Sequence, residues 1–238
     1  MQKRYAHGLH FQANYTFARF IDDIASRNEP GGVTNDFQNV YNHHGDRGLS
    51  GFDVKHRLVL STVWELPVGR AKALEIRNRV LDEILGGWSA GYIAVVQTGQ
   101  PYGVVELTNT ANAFSPSLRP NIVGNPVLSS DRPKSAKLAQ WFNTAAFAMP
   151  APNTFGNAGR TDGYRPALMS MDLSILKEFR WTAERHRFQF RLEMLDFLNH
   201  ANFANPIVAQ GNAAFGQITS LYAGNQSRIV QLGLHYKF

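Results

Sequence analysis

Apolar and polar side chains alternate with a period of two in six stretches of the chain, the pattern of strands whose two faces meet different surroundings. The last, Arg228 to Phe238, sets Val230, Leu232, Leu234, Tyr236 and Phe238 on one face and Ile229, Gln231, Gly233, His235 and Lys237 on the other. In Leu9 to Phe20, Leu9, Phe11, Ala13, Tyr15 and Phe17 oppose His10, Gln12, Asn14 and Thr16. Val54 to Leu66, Trp88 to Thr98 and Leu168 to Phe179 alternate in the same way. In Arg187 to Leu198, Phe188, Phe190, Leu192 and Met194 oppose Gln189, Arg191 and Glu193. Asp196 interrupts the apolar set there, which predicts a rim or a bulge near Leu195 to Phe197.

Turn and loop residues fill Ile21 to Phe52, Gly99 to Ala167 and Asn199 to Ser227, whereas the connections at Pro67 to Gly87 and Arg180 to His186 are shorter. If each strand reverses its neighbour, every long connection lies at one end. A soluble sandwich has no reason for that asymmetry. Outer-membrane barrels have it, with short periplasmic turns, long external loops and tilted strands of about 9 to 11 residues that are apolar outward, polar inward and aromatic at the interfaces. The predicted fold class is all-β: an antiparallel transmembrane β-barrel segment of about six strands over residues 1–238, with long external loops. The smallest single-chain barrels have about eight strands, so the pattern predicts an incomplete, open barrel whose first strand lacks an upstream neighbour. Leu74, Leu81, Ile84 and Leu85 stand at helical spacing, which predicts a short amphipathic helix from Ala71 to Leu85, closed by Gly86 and Gly87, its apolar stripe expected to serve packing, with a membrane anchor as the alternative.

Composition changes the picture in three places. Charged residues are 18%, aromatics 12% and mean hydropathy −0.27; no apolar run is long enough for a membrane-spanning helix. The net charge of +6 arises from 24 Lys and Arg that are scattered along the chain, so they read as loop and lumen charges and nucleic acid is not an expected partner. There is no cysteine, which excludes disulfides and Cys-ligated metal. The opening Met1 to Gly8 has no apolar segment of a secretion signal. Either the protein is cytosolic or an N-terminal part is missing.

A series of short motifs, met in order along the chain, resembles one family. They begin with Gly48-Leu49-Ser50-Gly51-Phe52-Asp53-Val54-Lys55-His56-Arg57, Glu65-Leu66-Pro67-Val68-Gly69, Leu85-Gly86-Gly87-Trp88 and Thr98-Gly99-Gln100-Pro101-Tyr102. Arg119-Pro120-Asn121, Trp141-Phe142-Asn143-Thr144-Ala145-Ala146-Phe147 and Phe155-Gly156-Asn157-Ala158-Gly159-Arg160 follow. The series closes with Phe188-Gln189-Phe190-Arg191-Leu192-Glu193, Phe197-Leu198-Asn199-His200-Ala201-Asn202-Phe203 and Tyr236-Lys237-Phe238. Order and spacing together are similar to the C-terminal barrel of TonB-dependent receptors of the Oar-like type, which carry a carboxypeptidase-regulatory-like domain. Gly51, Val68, Thr144 and Asp196 depart from the usual residues. The resemblance implies residence in the cell outer membrane and TonB-dependent uptake of an external ligand of the carbohydrate or siderophore class. A plug, a TonB box and a signal peptide are expected to lie outside this chain. Outer-membrane lipid, the barrel-assembly machinery (through the C-terminal strand) and the TonB complex (through the missing N-terminal part) are the implied partners.

In this reading Phe188, Phe190, Leu192, Leu232, Leu234, Tyr236 and Phe238 face the membrane, and the last of them form the C-terminal assembly signal. Gln189, Arg191, Glu193, Gln231 and His235 face the lumen. Among loop aromatics, Tyr102, Trp141, Phe142 and Phe155 are candidates for stacking on a ligand, Phe114 and Phe147 share that composition, and packing of the loops on one another is the competing role. His43, His44 and Asp46 carry metal-ligand chemistry, but adjacent histidines in a Gly and Asn loop are expected to be solvated. Neither a metal nor another cofactor is expected. Asp22 with Asp23, Asp53 with His56 and Glu193 with Asp196 lack a recognisable nucleophile beside them, so no enzyme is predicted. Phe155 to Arg160 lacks the full glycine spacing of a phosphate loop and reads as a turn. The alternative function is a soluble all-β binding or adhesion domain. Detergent separates the two, since a sandwich stays monomeric in plain buffer and a barrel segment does not.

Overall fold

The computed structural model describes residues 2–6, 8–23, 37–70, 72–115, 118–181, 186–224 and 227–237. Seven strands hydrogen-bond in chain order into one sheet: β1 Gln2–Ala6, β2 Leu9–Phe17, β3 His56–Glu65, β4 Trp88–Gln97, β5 Leu168–Trp181, β6 His186–Leu195 and β7 Ile229–Lys237. Every neighbouring pair is antiparallel. All six expected strands form, because alternating side chains can be sorted onto two faces only by an extended chain. β2 to β7 run for 9 to 14 residues, enough for a tilted membrane crossing. The first strand does not lack an upstream neighbour: β1 pairs with β2, Gln2 opposite Gln12 and Ala6 opposite Leu9. Gln-Lys-Arg-Tyr-Ala has no alternation to read, so only backbone pairing reveals it. Among the described residues no pairing joins β1 to β7, and the sheet is open.

Strict up-and-down order sends 18–55, 98–167 and 196–228 out at one end of the sheet and 66–87 and the β5–β6 turn out at the other. The expected asymmetry of loop lengths is thus an asymmetry of ends. At the turn end the helix is shorter than its spacing suggests, α1 Arg79–Leu85, and begins where the Asn78 side chain accepts the Val80 and Leu81 N–H groups at 2.9 and 3.3 Å. Leu74 belongs to a turn instead, donating to Pro67 O and accepting from Gly69 N. The expected packing role of the stripe also fails, since no residue of α1 is buried.

The hydrophobic core lies in the long connections. Tyr102, Val104, Phe142, Ala146 and Phe147 form it, with Ile122, Trp141, Val208 and Phe215 packed around them. Tyr102 stacks on Phe142 at 5.3 Å between ring centres, while Phe147 and Phe215 meet Phe142 edge-on at 5.7 and 5.2 Å. These are favoured ring geometries. Short ladders satisfy the loop backbone: Asn121–Ile122 with Phe147–Ala148, Gly163–Tyr164 with Pro101–Tyr102, and Ala209–Gln210 parallel to Val105–Glu106. A second helix, α2 Lys134–Ala139, ends where the Arg132 guanidinium donates to the carbonyls of Ala136, Gln140 and Trp141. What reads in the sequence as irregular chain is a folded layer with its own core.

Phe142 is 1% exposed. Phe142→Ala is expected to cost about 3 to 5 kcal/mol in the loop layer, read as lost hydrogen-exchange protection over 101–164 and 207–218 with the β2 to β7 ladder retained. Equal loss in the ladder would show that layer and sheet unfold as one unit.

Candidate functional site

The functional surfaces begin with the register. On β6, Phe188, Phe190, Leu192 and Met194 stand opposite Tyr236, Leu234, Leu232 and Val230 of β7, and opposite Phe179, Lys177, Ile175 and Leu173 of β5. Gln189, Arg191 and Glu193 stand opposite His235, Gly233 and Gln231. The two predicted sets therefore separate onto opposite faces; Phe238 lies outside the described residues. The apolar face continues through Trp88, Ala90, Tyr92, Ala94 and Val96 of β4, Leu58, Leu60, Thr62 and Trp64 of β3, and Leu9, Phe11, Ala13 and Tyr15 of β2. Much of it is open: Leu232 and Leu234 are each 70% exposed, and Trp64 is 43% exposed. A contiguous apolar surface on this scale marks a contact with lipid or another apolar partner.

Aromatics gather at both ends of that face. Trp64, Trp88, Phe179, Phe188 and Tyr236 lie near the turn end, where Phe188 stacks on Tyr236 at 4.8 Å. Tyr15 and Phe17 lie near the loop end, where the Tyr15 hydroxyl meets His56 Nδ1 at 2.8 Å. Such girdles suit the two membrane–water interfaces. β6 stops at Leu195, and Asp196 has φ +47°, with its N–H donating to Asp172 Oδ1 at 2.9 Å and its own carboxylate accepting from His200 N. Asp196 marks a rim, one of the two outcomes its place in the pattern predicts.

Two of the long connections are locked together by charge. The Asp46 carboxylate meets the Arg119 guanidinium at 2.8 Å, both side chains 3% exposed, and Gln38 Oε1 accepts from Arg119 N and Nε at 3.0 and 2.9 Å. Arg160 pairs with Asp22. Each pair joins the connection after β2 to the connection after β4. Beside them Val104 N donates to Asp162 Oδ2 at 2.8 Å, while Asp162 Oδ1 is buried with no hydrogen-bond partner among the described residues. Burial pushes the Asp162 carboxyl up to about 6, against the Val104 N–H and the Arg119 charge, which both pull it down. Burial, aided by Asp162, also pushes the Tyr102 phenol well above its ordinary range. Sequence spacing carries no signal for these partners, which lie tens of residues apart.

Two clefts open in this region. One of about 320 Å³ lies between Pro126–Ser130 and Asp162–Tyr164 and is lined by Trp141, Arg132 and Lys137. Trp141 is half-buried, with Nε1 donating to Tyr164 O at 2.8 Å. Another of about 390 Å³ lies on the polar face at the loop end, among Gln97, Ser170, Asp172, Asn202 and Tyr222. Of the stacking candidates, Trp141, Tyr102 and Phe142 all line the first cleft, Tyr102 and Phe142 as nearly buried core residues at its floor, 4% and 1% exposed, and Phe155 is exposed. The mutual stacking of Tyr102 and Phe142 serves packing and leaves Trp141 as the most open ring of the three. Phe147 is likewise core, and Phe114 is fully exposed. Of the histidine pair and its aspartate, Asp46 is held by Arg119 and the His43 ring stacks on Phe37 at 4.0 Å. In Phe155 to Arg160, a side chain on Gly156 would fall 1.9 Å from Arg119 O. That glycine serves close backbone approach, and Asn157 exchanges hydrogen bonds with Asn121 and Ile122.

A folded-state aspartate raised from 3.8 to about 6 binds its proton more tightly folded than unfolded. Its destabilising contribution is therefore complete above that value and disappears as pH falls through the window between the two. A carbon-13 titration of the Asp162 carboxyl is expected to show a midpoint near 6, moving higher in Arg119→Gln as the neighbouring charge is lost. A midpoint in the ordinary aspartate range would contradict the buried geometry.

Comparison with known proteins agrees with this architecture. The family model described as an outer membrane beta barrel domain matches residues 1–231. No curated protein and no solved structure matches the chain. The match covers β1 to β6 and all three long connections, the same elements that separate one apolar from one polar face. The chain is an outer-membrane protein and belongs to the outer membrane beta barrel domain family.

Proposed function

We propose that the chain is barrel wall and external loops of a TonB-dependent, Oar-like receptor that takes up a carbohydrate or siderophore. The observation that carries this reading is the loop layer: three connections from one end of the sheet interlock through a shared aromatic core and buried ion pairs. Such a body can present fixed clefts to an external ligand, which a porin-like rim of loose loops cannot. The ordered motifs from Gly48 to Phe238 support the TonB-dependent type. Trp141, half-buried in a cleft beside Lys137 and Asp162, offers a ring face and polar groups of the kind that hold a sugar. The work is binding and transport, with no bond chemistry, no cofactor and no nucleic acid.

The apolar face meets outer-membrane lipid and the polar face the lumen. β7 supplies the strand that the assembly machinery reads, and energy arrives from TonB through an N-terminal part of the complete receptor. The rival reading, a soluble all-β binding or adhesion domain, would need a second layer over Leu232, Leu234 and Trp64, which stand open.

Register gives the first test. A one-residue slip would carry Arg191 into hydrocarbon, at about 2 to 4 kcal/mol near the midplane. In the complete receptor, Phe190→Cys and Leu234→Cys are expected to react with a lipid-soluble maleimide, and Arg191→Cys and His235→Cys with a membrane-impermeant one; the reverse pattern overturns the barrel assignment. Energised uptake is tested in cells carrying the complete receptor and offered labelled oligosaccharides and ferric siderophores. Accumulation of one of them should stop when the proton gradient is collapsed, and Trp141→Ala should lower its binding. Accumulation that survives collapse would sink the TonB-dependent reading.

A further inference from the structure

The connection between β3 and β4 contains a helix built inside out. One residue advances an α-helix by about 100°, so Val80, Leu81, Ile84 and Leu85 of α1 form one side, and Arg79, Asp82 and Glu83 the other. In a helix packed on its own protein the apolar side turns inward. Here Asp82 is the inward residue: its Oδ1 accepts the Arg70 N–H at 2.7 Å and lies against Gly69 and Gly86. The four apolar side chains are 48% to 68% exposed, and Leu74 in the turn before the helix is 61% exposed.

The anchoring contacts show which way the helix leans. Trp88, on the apolar face of the sheet, donates its Nε1–H to Ile84 O at 2.9 Å. Lys177 is the one charged side chain in the apolar rows of β4 to β7, and it is 2% exposed. Its ammonium donates to Gly86 O at the end of α1 and lies over the rings of Phe179 and Trp88, 4.8 and 5.8 Å from their centres. Two residues of the apolar rows thus hold the C-terminus of the helix. A lysine on a lipid face is tolerated where hydrocarbon gives way to headgroups, and tryptophan concentrates at the same depth. Lys177 and Trp88 therefore mark the level of the periplasmic interface, and α1 sits at it with its apolar side uncovered and continuous with the lipid-facing wall.

We propose that α1 is an interfacial helix, seated in the headgroup and upper acyl region of the periplasmic leaflet, with Val80, Leu81, Ile84 and Leu85 in lipid and Asp82 turned to the turn it caps. Its occupant is the leaflet itself, and the inference rests on the lipid-facing assignment of the apolar face. The role goes beyond spanning: it gives the barrel a lateral foot at the turn end and fixes how deep the sheet sits.

The chain has no cysteine, so single introduced ones report cleanly. The complete receptor, in phosphatidylethanolamine and phosphatidylglycerol vesicles, is labelled with an environment-sensitive fluorophore at Ile84→Cys, Glu83→Cys or Leu192→Cys, with nitroxide lipids as quenchers. The expected result is a blue-shifted Ile84 position quenched at least twofold more by a nitroxide near the headgroup than by one deep in the chains, a water-like unquenched Glu83 position, and a quenched Leu192 position. If Leu192 is quenched while Ile84 behaves as Glu83 does, the interfacial helix is wrong and the barrel face stands. If Ile84 is blue-shifted but neither nitroxide quenches it, protein covers the stripe and the proposal fails. An unquenched Leu192 defeats the lipid-facing assignment, and this inference with it.

Discussion

The antiparallel ladder from β1 to β7 is the constraint on which the rest depends, because hydrocarbon offers no water to an unpaired amide and every N–H and C=O of a spanning strand must find its partner on a neighbour. Once the ladder is set, side-chain direction follows from the pleat. Phe190 opposite Leu234 and Arg191 opposite Gly233 are consequences of one register. A shift of one residue would exchange the sets as a whole. Lys177 shows how little charge the apolar rows of β4 to β7 admit: it enters only at the turn end, with its ammonium satisfied by Gly86 O and two aromatic rings.

Burial inside the protein is concentrated elsewhere. The sheet turns much of its apolar surface outward, whereas the long connections bury Phe142, Tyr102 and Phe147 as a soluble domain would. Hydrophobic burial therefore stabilises the loop layer against water, and in the proposed reading lipid contact serves the wall. Removing charges from water is costly, and a buried ion pair is weak evidence of stability. Asp46 with Arg119 instead ties two connections into a single arrangement, since either charge left alone at 3% exposure would be strongly unfavourable. Clefts lined from those connections inherit that fixed geometry.

The two ends of the sheet are consequently different in kind. At the loop end, aromatic side chains of the connections pack on each other. At the turn end, short connections leave their apolar groups facing away from the chain, as at Leu74, Val80 and Ile84. The same amino-acid types are buried at one end and exposed at the other, and chain position decides which.

By itself the sequence determined the two faces, six of the seven strands and the end at which the long connections gather, because a period of two reports a contrast between surroundings residue by residue. It also marked Asp196 as a rim or a bulge, where a carboxylate breaks an apolar row, and the end of β6 at Leu195 decided between them. The β1 strand was illegible, since Gln2–Ala6 has no such contrast and is recruited by backbone pairing alone. Only tertiary structure decided that Tyr102 and Phe142 are core, that Arg119 belongs to Asp46 and Gln38, and that Asp162 is buried beside them. Those contacts join residues as far apart as 81 positions, and no local pattern encodes a partner at that distance. The stripe of α1 shows the limit most sharply: its spacing predicts an apolar side, but which side meets protein was decided by Asp82 against Arg70 and by Trp88 and Lys177 at the helix end.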